Sequence, residues 1–529
     1  MKNIILFLSC ICISGIISLI FGHDVGFDFR NYHLYLPYAF LHNRFSIDLI
    51  AAGPVHTFFN PLIDIPYFLI VYYLNNWPNL TLFLLGGFYG LLLFAVFKWV
   101  SLIFQENSVR AFIFKVILTV FSVLGIGTLL QIGHSSNENL LAFFGVISAY
   151  LLFRGTNQQL QFKLKYILGA AFLVSFAAGL KYTAVPAACG VGLCCLFLLI
   201  KNKSSYKHYL YVILAAGSGF LLTNGYFLWK KWTVLGNPLF PFYNHIFKSP
   251  FFPPEALANS PFVPKTWHEI LFLPFLRLTF PFWDYILDFR LILGVLSFLA
   301  VCIGGLLYIK KRPLSKNYFL LACLFIGTYI PWIVVFGNGR YAIFLEIISC
   351  LLFTSLLRRF LSINTACIIL ISLSIFSFKK DNPKWPRQPS VKQNITFSQP
   401  VFVRDGALVL VAGHYSFLIP FLNPKARYIG GVQLSADKLH VPEHIVGILA
   451  PLQPLDYQHN FPIREEILKH SGPIYLLRPH LYWMQNETFW EEYGLDTSNE
   501  SCQIFHTNLS RIFSKFALCN VKKINEKTN

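Results

Sequence analysis

Side chains capable of acid–base chemistry are concentrated in one polar stretch directly after the first apolar segment. Asp24 and Asp28 lie there among Phe, Gly, Val, Tyr and Leu. Charged groups next to hydrocarbon are costly unless they face a wet cavity lined by protein. We therefore expect a functional cavity in which a carboxylate can take a proton from a reacting group. The charged and polar members of the stretch are Asp24, Asp28, Arg30, Tyr32, His33, Arg44, Asp48, His56, Asn60 and Asp64.

The composition indicates the class of protein in which these residues lie. The chain has 529 residues, of which 55% are hydrophobic and only 13% are charged, whereas soluble proteins carry roughly 25% charged residues. Soluble globular, disordered and fibrous classes are therefore excluded, and the chain must be embedded in a membrane. The formal net charge of +19 lies mostly in short loops between apolar runs. It therefore indicates membrane orientation and not nucleic-acid binding.

Apolar runs long enough to cross a bilayer recur along the first 378 residues. A spanning helix needs about 20 apolar residues. The first run is expected to be an uncleaved anchor, because no small-residue cleavage site follows it. We predict an all-α polytopic bundle of about eleven transmembrane helices near residues 4–21, 80–98, 112–130, 140–153, 166–180, 184–200, 209–228, 291–309, 318–336, 341–357 and 362–377.

Alternate connections between these runs are basic, and Glu106 is their one acid. The positive-inside rule places these connections and the N-terminus in the cytoplasm. The stretch 61–74 must then stay on the outer face as an interfacial helix, because it is short and contains Asp64 and Pro66. The basic residues are Lys98, Arg110, Lys115, Arg154, Lys163, Lys165, Lys201, Lys203, Lys207, Lys310, Lys311, Arg312, Lys316, Arg358 and Arg359.

The chain changes character after the last apolar run. A Lys/Pro/Gln-rich linker at 379–394 leads into 395–529, where short apolar runs at 407–412 and 474–477 predict buried strands and 464–470 predicts a helix. We therefore divide the chain into a membrane domain, 1–378, the linker, and a small extracytoplasmic α/β domain. Cys502 and Cys519 lie in that domain, where a disulfide can persist, and we expect their Cα atoms to be within about 7 Å.

The polar stretch resembles the first outer loop of the GT-C superfamily, whose members transfer sugars from lipid carriers and include protein O-mannosyltransferases and aminoarabinose transferases. The segments that carry the resemblance are Asp28-Phe29-Arg30-Asn31-Tyr32, the Arg44 to Asp48 turn and Asn60-Pro61-Leu62, with Phe29 and Asn60 standing where the family has an acid and a lysine. Further fragments resemble bacterial proteins of this type: Gly179-Leu180-Lys181-Tyr182, residues 236–244, Asp288-Phe289-Arg290 and Gly339-Arg340-Tyr341 with Glu346.

The resemblance implies an inverting glycosyltransferase of the bacterial inner membrane. It would move a sugar from a polyprenyl-phosphate carrier to a glycan, lipid or protein acceptor on the extracytoplasmic side. The acceptor loses a proton as it attacks, so a carboxylate must act as base. Asp28 is the first candidate and Asp24 the second. A carboxylate there would also stabilise an oxocarbenium-like transition state.

The leaving lipid phosphate needs fixed cations, for which the candidates are Arg340, Arg290 and Lys181. Each of these could instead be an interfacial anchor at a helix end. Glu138 resembles the second outer-loop acid of the superfamily, and with His134 it could orient the acceptor or hold a divalent cation. No standard metal motif is present, so no cofactor is certain and a divalent cation stays open.

Two other functions share this layout. A glycan polymerase or ligase would be expected to gather its arginines and histidines in the large outer loop. A transporter of lipid-linked glycans would favour charged or broken helices at mid-membrane and paired repeats. The acids gathered in the first outer loop favour a transferase over both.

Overall fold

The structure is a computed structural model that describes residues 2–156, 163–254, 262–270, 273, 275, 288–308, 316–379, 387–389, 391–413, 415–432, 461–480, 493–508 and 514–524. Part of the predicted linker at 379–394 lies outside these residues, as do Lys310, Lys311 and Arg312.

Within the described residues, each predicted apolar segment is mostly helical. Within the described residues, eleven helices have 15 residues or more. They are α1 (Lys2–Phe21), α2 (Pro78–Ile103), α3 (Val109–Val123), α4 (Glu138–Gly155), α5 (Leu164–Leu180), α6 (Val185–Lys201), α7 (Tyr206–Leu235), α8 (Arg290–Tyr308), α9 (Lys316–Val335), α10 (Ile343–Phe360) and α11 (Ile363–Lys379). The segment predicted at 112–130 is divided, because α3 ends at Val123 and a short helix follows at Ile126–Leu130.

Five described helices are long and apolar enough to cross a membrane: α1, α2, α6 with the preceding turn, α7 and α9. On α1 and α7 many large apolar side chains are exposed, including Ile4, Ile20 and Leu222. Such surfaces are unfavourable in water and are satisfied by lipid. The chain is therefore an integral membrane protein. That the other six helices also cross the membrane stays a prediction.

The chain folds into two compact units, and their bounds differ from the predicted domains. The first unit comprises residues 1–21, 82–226 and 258–385, and the second comprises 22–81, 227–257 and 386–529. The first outer loop, within 22–81, and residues 227–257 thus share a unit with the C-terminal region. The bounds differ because each unit is formed by packing between segments that are distant in sequence, and local hydropathy does not reveal such packing.

The first unit is a helical bundle around one apolar core. The core contains Trp99, Phe325 and Trp332, all essentially inaccessible. Arg358, in the last turn of α10, donates to Glu106 in the α2–α3 connection (Nη2 to Oε1, 3.1 Å). Two of the connections predicted to be cytoplasmic therefore lie at the same end of this bundle.

The second unit contains a five-stranded mixed sheet in the order β4-β3-β5-β7-β6. Its strands are β3 (Leu408–Ala412), β4 (Arg427–Val432), β5 (Ile474–Pro479), β6 (Leu495–His506) and β7 (Lys515–Lys523). Strands β3, β4 and β5 are parallel, and β6 and β7 are antiparallel neighbours. Helix α12 (Ile463–Lys469) precedes β5. The strands and helix predicted in this region are confirmed.

A disulfide joins β6 to β7. Cys502 and Cys519 are paired in register, with an S–S distance of 2.12 Å and a Cα–Cα distance of 3.9 Å.

The first outer loop folds onto this sheet. A two-stranded ladder pairs β1 (His23–Asp24) with β2 (Arg387–Gln388), and a short helix follows at Ile65–Tyr73. Leu49 bridges to Ile429 of β4. Gly430 permits this approach, because a Cβ there would lie 2.3 Å from the carbonyl oxygen of Ala51.

The buried side chain of Arg44 stabilises this contact between the first outer loop and the C-terminal region. Its guanidinium binds Asp48 through Nε (3.0 Å) and donates to the carbonyl oxygens of Pro424 (2.7 Å) and Ala426 (2.6 Å). Asp48 also accepts from the backbone N–H of Tyr428 at 2.9 Å. The Arg44 to Asp48 turn is thus part of the connection between the first loop and the C-terminal sheet.

Candidate functional site

An amphipathic cleft lies in the first unit, and the roughly 400 Å³ of space within it includes space open to solvent. Its wall is mostly aliphatic and aromatic, and its polar side chains are few. The lining residues are Glu138, Leu141, Ala142, Thr183, Ala184, Pro186, Ala187, Thr328, Trp332, Arg340, Tyr341, Ile343, Phe344 and Leu345. An apolar wall with a small number of polar side chains is the usual lining of a site that binds a small molecule.

Glu138 and Lys181 form an ion pair at this cavity. Lys181 Nζ lies 2.6 Å from Glu138 Oε1 and also donates to the carbonyl oxygen of Ser136 at 2.8 Å. Thr183 donates to the other oxygen, Oε2, at 3.0 Å. The pairing follows from local structure: Asn137, at φ +60°, turns the chain into α4, and Lys181 follows the last residue of α5. Two of the predicted site residues, 43 positions apart, are thereby brought together.

Arg340 lines the same cavity from the turn Gly339–Tyr341. The Asn338 side chain accepts from the backbone N–H of Arg340 at 2.9 Å, and Trp332 Nε1 donates to the carbonyl oxygen of Asn338 at 2.9 Å. Gln131 Nε2 donates to the carbonyl oxygen of Arg340 at 3.1 Å. The backbone carrying the guanidinium is therefore held from two sides.

His134 and Glu138 have separate partners. His134 Nδ1 lies 3.1 Å from Ser136 Oγ and accepts from the backbone N–H of Ser136 at 3.2 Å. Both carboxylate oxygens of Glu138 accept from Lys181 or Thr183. Among the residues that the structure describes, no group of three or more His, Cys, Asp or Glu side chains is arranged to hold a metal ion.

Arg290 belongs to a buried charge cluster. It has no exposed surface. Its Nη1 donates to Asp288 Oδ2 at 2.6 Å, and its Nε donates to the carbonyl oxygen of Phe121 at 2.9 Å. Asp288 Oδ2 also accepts from the backbone N–H of Ile126 at 3.0 Å. The guanidinium is thus committed to a carboxylate inside the bundle, and we do not retain Arg290 as a candidate phosphate ligand.

Glu346 completes this cluster beside the short helix at 126–130. The side chain is fully buried, and Thr128 Oγ1 lies 3.4 Å from its Oε2. Gly125 leaves room for this carboxylate, because a Cβ at that position would lie 2.1 Å from the same oxygen.

The Asp288–Arg290 pair gives a stability prediction. Asp288→Asn leaves a buried guanidinium without its carboxylate, a change that typically costs about 3–5 kcal/mol. We expect a large fall in the thermal unfolding midpoint of the purified chain in detergent. The double variant Asp288→Asn/Arg290→Met should unfold at a higher temperature than the single variant, because it removes both charges. An unchanged midpoint for Asp288→Asn would contradict the assignment.

In the second unit, the buried side chain of Asp24 stabilises a local turn. Its side chain is 3% exposed, and Oδ1 accepts from the backbone N–H of Gly26 at 2.7 Å. It pairs across the β1–β2 ladder with Arg387, a residue whose charge it stabilises. These contacts are typical of a residue that stabilises a turn. Because the Asp24 carboxylate is buried and already hydrogen-bonded, we favour Asp28 as the candidate base.

Asp28 is half-buried and directly precedes a π-helical turn, Phe29–His33. Such turns are rare and often found at functional sites. His56 Nδ1 lies 3.0 Å from Asn31 Nδ2, and the His56 ring stacks on Tyr32 at 4.8 Å. Burial lowers the pKa of His56 to about 4, against the opposing effect of the Asp28 carboxylate. His56 is therefore neutral at pH 7, and Asn31 fixes its orientation.

Buried His33 and Asp64 form a second pair in the same stretch. His33 Nδ1 lies 2.8 Å from Asp64 Oδ1, and both side chains are almost inaccessible. Four of the polar residues predicted from the first loop, Asp28, His33, His56 and Asp64, are thus collected around one turn of helix.

Sequence patterns missed several contributors. Thr183 and Trp332 contact the cavity or its supporting turn, and neither belongs to a recognised motif. The one available signal was that Thr183 follows Gly179-Leu180-Lys181-Tyr182 directly.

The chain was compared with known proteins. No protein-family model and no curated protein sequence matches it. Its structure is similar to that of ArnT from Cupriavidus metallidurans bound to undecaprenyl phosphate, with 10% sequence identity, coverage of 98% of this chain and 97% of that chain, and a TM-score of 0.50. An oligosaccharyltransferase from Archaeoglobus fulgidus gives 13% identity, coverage of 89% and 69%, and a TM-score of 0.40.

The chain therefore shares the overall fold of that ArnT structure.

Proposed function

We propose that the chain is a membrane-embedded glycosyltransferase that moves a sugar from a polyprenyl-phosphate carrier to a glycan, lipid or protein acceptor of the cell envelope. The observation that carries the proposal is the amphipathic cavity with Arg340, Glu138 and Thr183 among its lining residues. The fold adds support, because the similar structure of ArnT was solved with undecaprenyl phosphate bound.

In this proposal the lipid phosphate binds at the polar side of the cavity. Arg340 offers a forked donor that matches phosphate oxygens, and Lys181 offers a point charge. Lys181 is already paired with Glu138, so an incoming phosphate shares it with that carboxylate. The apolar wall accepts the first isoprene units, because burying them removes hydrocarbon from water.

Asp28 is the proposed base. It takes the proton of the acceptor hydroxyl or amine while the acceptor oxygen or nitrogen forms a bond to the anomeric carbon. The bond from that carbon to the phosphate oxygen breaks, and its electron pair leaves with the lipid phosphate. One direct displacement of this kind inverts the anomeric configuration. A carboxylate near the anomeric centre also stabilises the positive charge that develops there.

The proposed setting is a bacterial inner membrane, with the N-terminus in the cytoplasm and the C-terminal region outside. The Glu106–Arg358 pair supports this topology, because it joins two connections predicted to lie on one side.

The test uses the full chain in lipid nanodiscs with a panel of radiolabelled undecaprenyl-phosphate sugars and bacterial envelope fractions as acceptors. We expect one sugar to be transferred, with release of an equal amount of undecaprenyl phosphate. Movement of the intact lipid-linked sugar across a vesicle bilayer without transfer would instead identify a transporter. Joining of whole glycan chains would identify a polymerase or ligase.

A further inference from the structure

The C-terminal region contacts the turn that follows Asp28 through three consecutive residues. Tyr415, Ser416 and Phe417 meet Arg30, Asn31 and Phe29, which are themselves consecutive and directly follow Asp28. The Arg30 side chain hydrogen-bonds the Tyr415 side chain and lies 5.9 Å from the centre of its ring. Ser416 Oγ donates to the carbonyl oxygen of Asn31. The rings of Phe29 and Phe417 are 6.3 Å apart.

These three residues lie just beyond the carboxyl end of a central strand of the sheet. Strand β3 lies between its parallel neighbours β4 and β5, and Tyr415 follows its carboxyl end by three positions. In open sheets with parallel strands, ligands bind beyond the carboxyl ends, at the point where connections leave in opposite directions. Here that position holds a segment of the same chain, residues 29–31.

The π-helical turn is consequently fixed on two sides. Ser416 satisfies a backbone carbonyl of the turn, while His56 contacts the Asn31 side chain. Tyr415 is itself well anchored, because its ring packs edge-on against Phe516 of β7 at 5.0 Å. Movement of Tyr415 or Ser416 would therefore be transmitted to the residues directly after Asp28.

We propose that Tyr415 and Ser416 are positioning residues for Asp28, so that the C-terminal domain is part of the catalytic machinery. This inference rests on the proposed function in taking Asp28 as the base. A displacement of about 1 Å of a reacting group can cost about 10²-fold in rate. Loss of one supporting hydrogen bond should therefore lower kcat and leave binding of the lipid donor unchanged.

The experiment compares Tyr415→Phe and Ser416→Ala with the control Tyr428→Phe in the full chain. Tyr428 is in the same sheet, and its hydroxyl donates to the carbonyl oxygen of Asn423 within the C-terminal region (2.9 Å). Two measurements are made: sugar-transfer kinetics per folded protein, and hydrogen–deuterium exchange of peptides spanning residues 26–34. The exchange measurement requires no substrate.

For Tyr415→Phe and Ser416→Ala we expect kcat to fall about tenfold, KM for the lipid-linked sugar to stay within twofold, and exchange at 28–33 to increase. The control should change none of these. Unchanged exchange in both variants, or increased exchange with full kcat, overturns the positioning role. If the wild-type chain transfers no sugar, the proposed function fails, and the exchange measurement still decides whether Tyr415 and Ser416 hold the turn.

Discussion

Asp28→Asn is expected to reduce sugar transfer by a factor of about 10²–10⁴, the range that a positioned general base contributes. The amide cannot accept the proton of the attacking group, and it offers no negative charge to the oxocarbenium-like transition state. Binding of undecaprenyl phosphate should be unaffected, because the proposed phosphate ligands are Arg340 and Lys181. The measurement is initial-rate sugar transfer in nanodiscs, with donor binding determined separately by equilibrium methods.

Asp405→Asn is the matched control for this change. Asp405 is exposed on the second unit and pairs with Lys425 at 2.7 Å, so its loss should leave transfer at the wild-type rate. Asp24→Asn provides a contrast, since Asp24 is buried in a turn and its replacement should reduce the yield of folded protein. Full transfer by the Asp28→Asn variant would remove Asp28 from the mechanism.

Arg340→Ala is expected to weaken the binding of undecaprenyl phosphate by about 10- to 100-fold, since hydrogen bonds to charged groups contribute about 1.5–3 kcal/mol. Arg340→Lys should recover part of the loss, because it keeps the charge but not the forked geometry. Lys181→Ala should have a smaller effect, since Lys181 and Glu138 already neutralise each other. Binding is measured by titrating the lipid into the purified chain.

Arg358→Ala is the control for the arginine series. Arg358 is in the last turn of α10, whereas Arg340 precedes the first, and its partner Glu106 is largely exposed. An exposed pair of this kind contributes about 1 kcal/mol or less, so lipid binding should be retained. Equal loss of binding in both variants would indicate a nonspecific effect of net charge and would contradict the phosphate site.

The helical framework could be predicted from sequence because its signal is local. A run of apolar residues favours a helix wherever lipid or the bundle core surrounds it, since a helix satisfies its own backbone hydrogen bonds. Within the described residues, each of the eleven predicted segments is accordingly mostly helical, and the one at 112–130 is divided between two helices. The short strands at 408–412 and 474–479 were similarly visible as compact apolar runs between polar segments.

Contacts between residues that are distant in sequence were much harder to predict from the sequence. The stretch from Asp24 to Asp64 could be singled out because charge beside hydrocarbon is costly. Arg290 and Arg340 looked equivalent in sequence, since each precedes an apolar run. The structure separates them, because Asp288 holds Arg290 inside the bundle whereas Arg340 lines a cavity.

The sequence by itself determined that this chain is a polytopic helical membrane protein with a sheet after its last helix, because hydropathy acts over a few neighbouring residues. Only the tertiary structure decided that Lys181 meets Glu138 and that Tyr415 and Ser416 hold the turn after Asp28. Those contacts join residues tens to hundreds of positions apart, and their partners are selected by the packing of whole elements.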